Sequence, residues 1–458
     1  MVGPILPMIL RPDTESDSRC LMTNTPFGFG PGTGEGRPED IGAAFTRLGQ
    51  LLSWQGGPVN WDLARDVSRQ AVSAAGDRSV STSDVQDVAD ALRLAELWLD
   101  PATVFAAAGT TAEAWSRAEW VEQTLPGWRG LVDPVAARIV DALSGLLSAE
   151  DGPLAQTDQL PEQALGGLGA LGALGGLGGL GGLGGLTAQL QQMMQSMGGA
   201  MFGAQIGQAL GAMATEVVGS TDVGLPLGPP KKAALLPSNV AEFGAGLDLP
   251  LDQVRLYLAL REAAHHRLFG HAPWLRAHLI DAVGAYAQGI KVDLSQLRET
   301  MGSIDPMNPA SLQDAFRGGL FEPEDTPQQK AALARLETML ALIEGWVDEV
   351  VDGAAASHLP GAPALRETVR RRRATGGPAE QTFASLVGLE LRPRRLREAA
   401  ALWKALLSER GVEGRDAVWA HPDLLPVAED LDDPEGFARG SAPLDLSSLD
   451  PEDPAPSD

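Results

Sequence analysis

Apolar residues recur along this chain at spacings of three and four, the period of helices with one buried face, so the pattern predicts a mainly α protein of many helices. Between about Glu39 and Ala149, Ile41, Phe45, Leu48 and Leu52 share a face, and so do Val85, Val88, Leu92, Ala95 and Leu99. Pro101, Pro126 and Pro134 are expected to break this stretch into several helices. Trp98, Trp115, Trp120 and Trp128 lie close together in it and read as helical core rather than as a stacking platform. From about Thr187 to Val218 helical character returns, with Gly199, Gly203, Gly207 and Gly211 four apart, which bares one face to a close backbone neighbour. Gln205 and Gln208 lie in mid-segment and no basic flank orients it, so an internal helix is expected rather than a membrane span. A further helix is predicted over Leu251–Phe269, with Asp248 as cap, Pro250 in the first turn and Gly270 past the end. A shorter one follows over Trp274–Gly289, and Thr326-Pro327-Gln328-Gln329 reads as a capping box opening a long helix to about Asp352.

Composition divides the chain between these helices. Residues 1–37 are expected to be a disordered arm: 23–37 are rich in Gly, Pro, Thr and Asn without period, and Met22 reads as a native start. Met1–Leu10 is apolar but has two prolines, no basic region and no small-residue cleavage pattern, so it is a poor signal peptide. An N-terminal helical region over 38–150 gives way to a Gly/Leu-rich linker over 151–186, whose leucines from Leu165 to Leu186 stand three apart. Glycine costs about 1 kcal/mol per residue in a helix, so this low-complexity insertion should be flexible. A second helical domain is expected over 187–426. The last segment, 427–458, holds ten acidic residues against Arg439 alone and reads as an acidic disordered tail.

The formal charge of −25 argues against nonspecific binding to nucleic acid or an anionic membrane, since both would be repelled over much of the surface. Cys20 is the only cysteine, which excludes disulfides within the chain and cysteine-rich zinc sites and points to a reducing, cytoplasmic home.

The chemistry concentrates on one helix. Residues 261–266 read Arg-Glu-Ala-Ala-His-His, one residue type away from the His-Glu-x-x-His pattern in which two histidines four apart hold zinc and the Glu serves as general base. Arg261 occupies the place of the first histidine, and a guanidinium has no lone pair to offer a cation. Arg261 and His265 fall on the inward face with Val254, Leu258 and Leu268. On the later helix Glu344 and Asp348 lie one turn apart among Leu340, Ile343, Trp346 and Val347, where a distal ligand and a second acid would sit. His266 could pair with Glu262 on the neighbouring face, but His265, His266 and Glu344 would have to converge from directions about 100° apart to share one ion. Arg370–Arg373, with Arg392, Arg394, Arg395 and Arg397, form the only basic concentration and read as a solvated surface paired with Glu367, Glu390 and Glu398 rather than as a phosphate site. No serine-nucleophile elbow or dinucleotide fingerprint is evident.

Four runs in order, beginning at Gly219-Ser-Thr-Asp-Val-Gly-Leu-Pro-Leu-Gly, Val254-Arg-Leu-Tyr-Leu-Ala-Leu-Arg-Glu-Ala-Ala-His, Leu342-Ile-Glu-Gly-Trp-Val-Asp and Gly376-Gly-Pro-Ala-Glu-Gln-Thr-Phe, resemble the actinobacterial zinc-dependent metalloprotease family of zincin-like hydrolases. The resemblance covers most of 38–432, and Thr25-Pro-Phe-Gly-Phe-Gly is similar to the family's amino-terminal start. It implies a multi-helix zincin-like fold over 187–426, zinc as cofactor, a peptide or protein as substrate or partner, Glu262 as base, and His265 and Glu344 as ligands. His266 and Asp348 are further candidates. It also implies a branch with Arg-Glu-x-x-His in place of the full motif. Two functions follow: a zinc-dependent hydrolase with a degenerate motif, or an inactive scaffold that binds peptides or proteins. In the second, Arg261 replaces the charge of the metal by pairing with Glu344 or Glu262.

Overall fold

A computed structural model describes residues 56–148, 182–289, 326–375 and 395–440 of the chain. The expected arm, the helix face from Ile41 to Leu52, residues 149–181 of the linker and the tail beyond 440 lie outside the described residues, as do Arg392, Arg394 and Glu390.

The described part is mainly helical. Asn60 caps α1 (Trp61–Ala75), accepting from the Leu63 amide at 3.0 Å, and a reciprocal Ser81/Asp84 capping box opens α2 (Thr82–Leu99). Val88, Leu92, Ala95 and Leu99 form the buried stripe of α2 as their spacing predicts, while Val85 is 46% exposed. After strand β1 (Thr111–Ala114) comes α3 (Arg117–Ser148), which is a single helical span. Pro101 lies just past the end of α2, but Pro126 and Pro134 sit inside α3. Each interior proline removes a backbone hydrogen bond at a cost of about 3 kcal/mol. Burial of Trp120, Trp128, Leu131, Val132 and Val135 from this same helix offsets that loss, so the sequence rule fails here for a tertiary reason. Trp115 is buried as well, and Trp98 is partly buried against His358 at 4.7 Å between ring centroids.

Helix α4 (Gly182–Ala214) begins inside the stretch expected to be linker. It packs along α1, where an added Cβ at Gly207 would lie 2.5 Å from the Ala64 carbonyl oxygen and one at Gly211 2.6 Å from the Ala71 methyl. The four-residue glycine spacing therefore marks a close helix–helix approach, and no described helix is long and apolar enough to cross a membrane. Strand β2 (Lys232–Leu235) pairs in parallel with β1, Thr111 opposite Lys232 through Ala114 opposite Leu235. Next come α5 (Pro237–Gly244), α6 (Leu251–His271), α7 (Trp274–Gln288) and α8 (Pro327–Ala355). Pro250, not Asp248, stands at the N-cap position of α6, with no side-chain capping bond, and Asp248 instead takes a left-handed turn conformation at φ +51°. Thr326 does cap α8, accepting from the Gln329 amide at 3.1 Å.

Helices α6 and α8 pack together and are buried along most of their length and on most sides, which places them at the centre of the core. Helix α9 (Ala362–Thr375) contacts both, and α10 (Leu396–Asp416) lies along α8, fixed by hydrogen bonds from Trp346 Nε1 to Asp416 at 2.9 Å and from Trp403 Nε1 to the Leu342 carbonyl at 2.8 Å. Packed structure extends past 426. Leu431 and Ala438 are buried around α11 (Pro434–Arg439), and Arg410 donates to the Ala438 carbonyl at 2.6 Å, because this stretch holds apolar anchors between its acids. Helices from both sides of the Gly/Leu insertion share this core.

The α1–α4 contact yields a direct prediction: Gly207→Ala forces a methyl against the Ala64 carbonyl and should lower stability by about 1–3 kcal/mol. Urea denaturation followed by circular dichroism measures this, and an unchanged midpoint would show that the helices are not in close approach.

Candidate functional site

The inward face of α6 divides the candidate residues between two clusters. Arg261 and His265 turn toward α8, where Glu344 and Asp348 are each 1% exposed. Glu262 and His266 turn instead toward the loop 219–222 and β2. The change of direction is the 100° step between neighbours on a helix.

In the first cluster Arg261 Nη2 donates to Glu344 Oε2 at 2.5 Å, and its Nη1 faces Asp348 Oδ1 at 3.9 Å. The other oxygen of Glu344 receives Arg373 Nη2 at 2.8 Å and lies 3.1 Å from His265 Nε2. His265 Nδ1 is anchored on the Arg261 carbonyl at 2.8 Å. Burial by itself would raise the carboxyl of Glu344, yet the charges of Arg373, His265 and Arg261 outweigh it and hold the group far below the ordinary carboxylate range. Tyr257, one turn before Arg261, is pushed up to about 12 by burial and remains a neutral phenol.

Helix α9 completes the charge balance. Arg366, Arg370 and Arg373 follow one another on one face and meet the acids of α8: Arg366 donates to Asp348 at 2.8 Å and pairs with Asp352 at 2.8 Å, and Arg370 donates to Asp348 at 2.6 Å. Arg372 reaches Asp222 at 3.0 Å and the Glu216 carbonyl at 2.5 Å. Burial opposes ionisation of Asp222, but Arg372 and Arg373 prevail and its carboxyl too is held below the usual range. The basic run is therefore an internal clamp as much as a surface. Arg371 pairs outward with Glu367 at 2.9 Å as the sequence suggests, whereas Arg370, Arg372 and Arg373 turn in.

In the second cluster Glu262 accepts from the Ser220 hydroxyl, from the Thr221 hydroxyl at 2.6 Å and amide at 3.1 Å, and from the Ala234 amide at 3.2 Å. His266 Nε2 adds a contact at 3.2 Å. Burial raises the carboxyl of Glu262, but the bonds from His266, Ser220 and Thr221 reverse this and hold it low. A methyl on Gly219 would fall 2.7 Å from Glu262 Oε2, so glycine there lets the loop close over the carboxylate. The space enclosed by Gly219, Asp222, Arg261, Glu262 and His265 measures about 10 Å³, room for one water at most.

These residues can be tested against a zinc ion. Two ligands of a tetrahedral zinc lie roughly 3.3 Å apart, and His265 and Glu344 keep about that spacing at 3.1 Å. An Nδ1–carbonyl bond such as that of His265 is also usual for a ligating histidine. The rest of the set does not fit. Arg261 supplies no lone pair, both oxygens of Glu344 hold guanidiniums, and no described group of three His, Cys, Asp or Glu side chains is arranged to hold a metal.

The sequence profile described as zincin-like metallopeptidase matches residues 59–438. The chain belongs to the zincin-like metallopeptidase family. Among solved structures it is similar to the crystal structure of "a putative hydrolase with a novel fold from Chloroflexus aurantiacus", with a TM-score of 0.54 and 18% identity over 83% of this chain and 98% of that one. At that identity the likeness concerns the fold. A comparison with curated proteins finds no match. The zincin-like match begins at Val59, in the N-terminal helical region, and so takes in α1 to α4 as well as the helices of the site.

The motif led to α6 and α8 but not to Asp222, Tyr257 or the arginines of α9. Their signal was present as a match of spacings: basic residues at 366, 370 and 373 against acids at 344, 348 and 352.

Acid titration tests this electrostatic arrangement. A carboxyl depressed in the fold binds fewer protons than in the unfolded chain, so its stabilisation is complete above the unfolded pKa of about 4.3 and is lost as pH falls toward the folded value. Stability of the wild type should therefore decline below about pH 5. Glu344→Gln should be less stable at pH 7 and show a shallower decline, read from urea midpoints between pH 3.5 and 7. Parallel curves would mean that Glu344 is not held ionised.

Proposed function

We propose that this chain is a metal-free zincin-like scaffold: the guanidiniums of Arg261 and Arg373 take the place of the ion's charge, and the protein acts by binding peptide or protein partners rather than by hydrolysis. The observation that carries this reading is the hold on Glu344, with Arg261 on one carboxylate oxygen and Arg373 with His265 on the other.

The competing reading, a zinc-dependent hydrolase with Glu262 as general base, draws support from the family and from the His265–Glu344 spacing. In such an enzyme zinc polarises the carbonyl and activates water. It asks for a third lone-pair donor where Arg261 stands, a free carboxylate on Glu344, and a free oxygen on Glu262. Both oxygens of Glu262 are already engaged by donors of the chain, and the space beside it is about 10 Å³, far below the size of a peptide. The scaffold reading needs no rearrangement of these groups. The class of partner follows from the family, whose peptidase-like members act on peptides or proteins, and the charge of −25 disfavours nucleic acid and anionic membranes. A cytoplasmic location is part of the same proposal.

Metal analysis by mass spectrometry on untagged protein purified without added metal distinguishes the two readings. The wild type is expected to carry only substoichiometric zinc, to keep its melting temperature in chelator, and to leave casein intact whether or not Glu262→Gln is present. The double variant Arg261→His with Arg373→Ala restores the ligand and frees Glu344, so it should take up zinc. Stoichiometric zinc in the wild type, or casein hydrolysis abolished by Glu262→Gln, would overturn the scaffold reading.

A further inference from the structure

A second concavity lies away from Glu344, where the end of α2 and the loop after it meet α6 and α10, and its volume is about 380 Å³. That is within the range of ligand pockets and ample for one long side chain with its flanking backbone. Its floor is Arg267, 1% exposed, whose guanidinium is fully engaged: Nε on Glu96 at 2.7 Å, Nη1 on the Phe105 carbonyl at 2.9 Å, and Nη2 on Asp100 at 2.8 Å and the Glu96 carbonyl at 2.6 Å. Arg415 beneath the same loop is likewise engaged, by Asp416 and the Ala102 carbonyl, each at 2.8 Å. Neither cation is free to attract an anion.

Of the charged residues that line the cavity, Asp100 and Glu413 are acids and Arg267 is the one cation, so two negative charges face one positive. Asp100 is 63% exposed at the side chain, and Glu413 stands at the rim on the turn after Gly411, where the helix is interrupted at φ +70°. Between the rim acids the wall is apolar: Pro101, Phe105, Val412, and Val104, which is 49% exposed. A buried floor that is already satisfied, an apolar wall and an anionic rim match a lysine or arginine side chain, whose methylene stem lies on apolar surface while its head meets carboxylates.

Resting on the scaffold reading, we propose that this cavity is the partner site and that it takes a basic side chain, Lys or Arg, of a peptide or protein segment. The chain's charge of −25 adds long-range attraction for such a partner.

The probe is a displayed library of linear peptides selected on the full-length wild-type chain, with metal content measured on the same preparation. Enriched peptides should carry a Lys or Arg at a fixed position and lose binding when that residue becomes Ala. Val104→Arg, a substitution at a half-exposed position that should leave the melting temperature unchanged, is expected to weaken binding by at least ~10-fold. Glu413→Gln should weaken it by up to ~5-fold, the range of an exposed ion pair, and reduce its salt dependence. Enrichment of peptides without a basic residue, absence of enrichment, or equal binding to Val104→Arg would overturn the cavity proposal and leave the scaffold reading intact. Stoichiometric zinc with the predicted peptide binding would overturn the scaffold reading and leave the cavity in place.

Discussion

Glu344 is an anion in the middle of a helical core, and removing a carboxylate from water costs several kcal/mol even after the protein relaxes around it. Something must compensate that charge before α8 can pack against α6. In a zinc enzyme an ion would do so; here two guanidiniums and an imidazole surround the carboxylate within 3.1 Å. Arg261 comes from α6 and Arg373 from α9, so the compensation also ties three helices together. Loss of either arginine leaves an underpaired buried charge, which is far more damaging than loss of a surface pair.

The neighbouring groups follow from that requirement. Asp348, one turn further along α8, is held by Arg366 and Arg370, and Asp222 brings the loop before β2 under Arg372. Glu262, the residue that would serve as base in a zincin, has become the anchor that joins α6 to the 219–221 loop and β2 through hydroxyl and amide donors. An oxygen committed to such bonds is a poor acceptor for a reacting proton. The zincin-like fold thus keeps its helices and its acids while donors of the chain itself occupy the oxygens of Glu344 and Glu262.

Much of this was legible in the sequence. The stripe of α2, the Thr326 cap and the glycines of α4 follow from spacing, and the family resemblance is what sets Arg261 and His265 against Glu344 and Asp348 on facing helices. What spacing did not show depends on three dimensions. The short β1–β2 pair has only four residues a side and owes its place to Leu235 and the buried alanines of β2 rather than to alternation. Pro126 and Pro134 persist inside α3 because the tryptophans around them are buried. The run Arg370–Arg373 looked like a surface because a linear reading cannot tell which arginines point to α8. Packed structure also continues through Leu431 and Ala438, where net acidity concealed a few apolar anchors.

A double-mutant cycle between Arg261→Met and Glu344→Gln, read as urea unfolding free energies at pH 7, measures how far Arg261 compensates the buried charge of Glu344. Each single change should destabilise the protein strongly and the double change should cost much less than their sum, with a coupling of about 2–3 kcal/mol. A coupling within about 0.5 kcal/mol of zero, the level of independent sites, would show that Arg261 does not carry the compensation of Glu344.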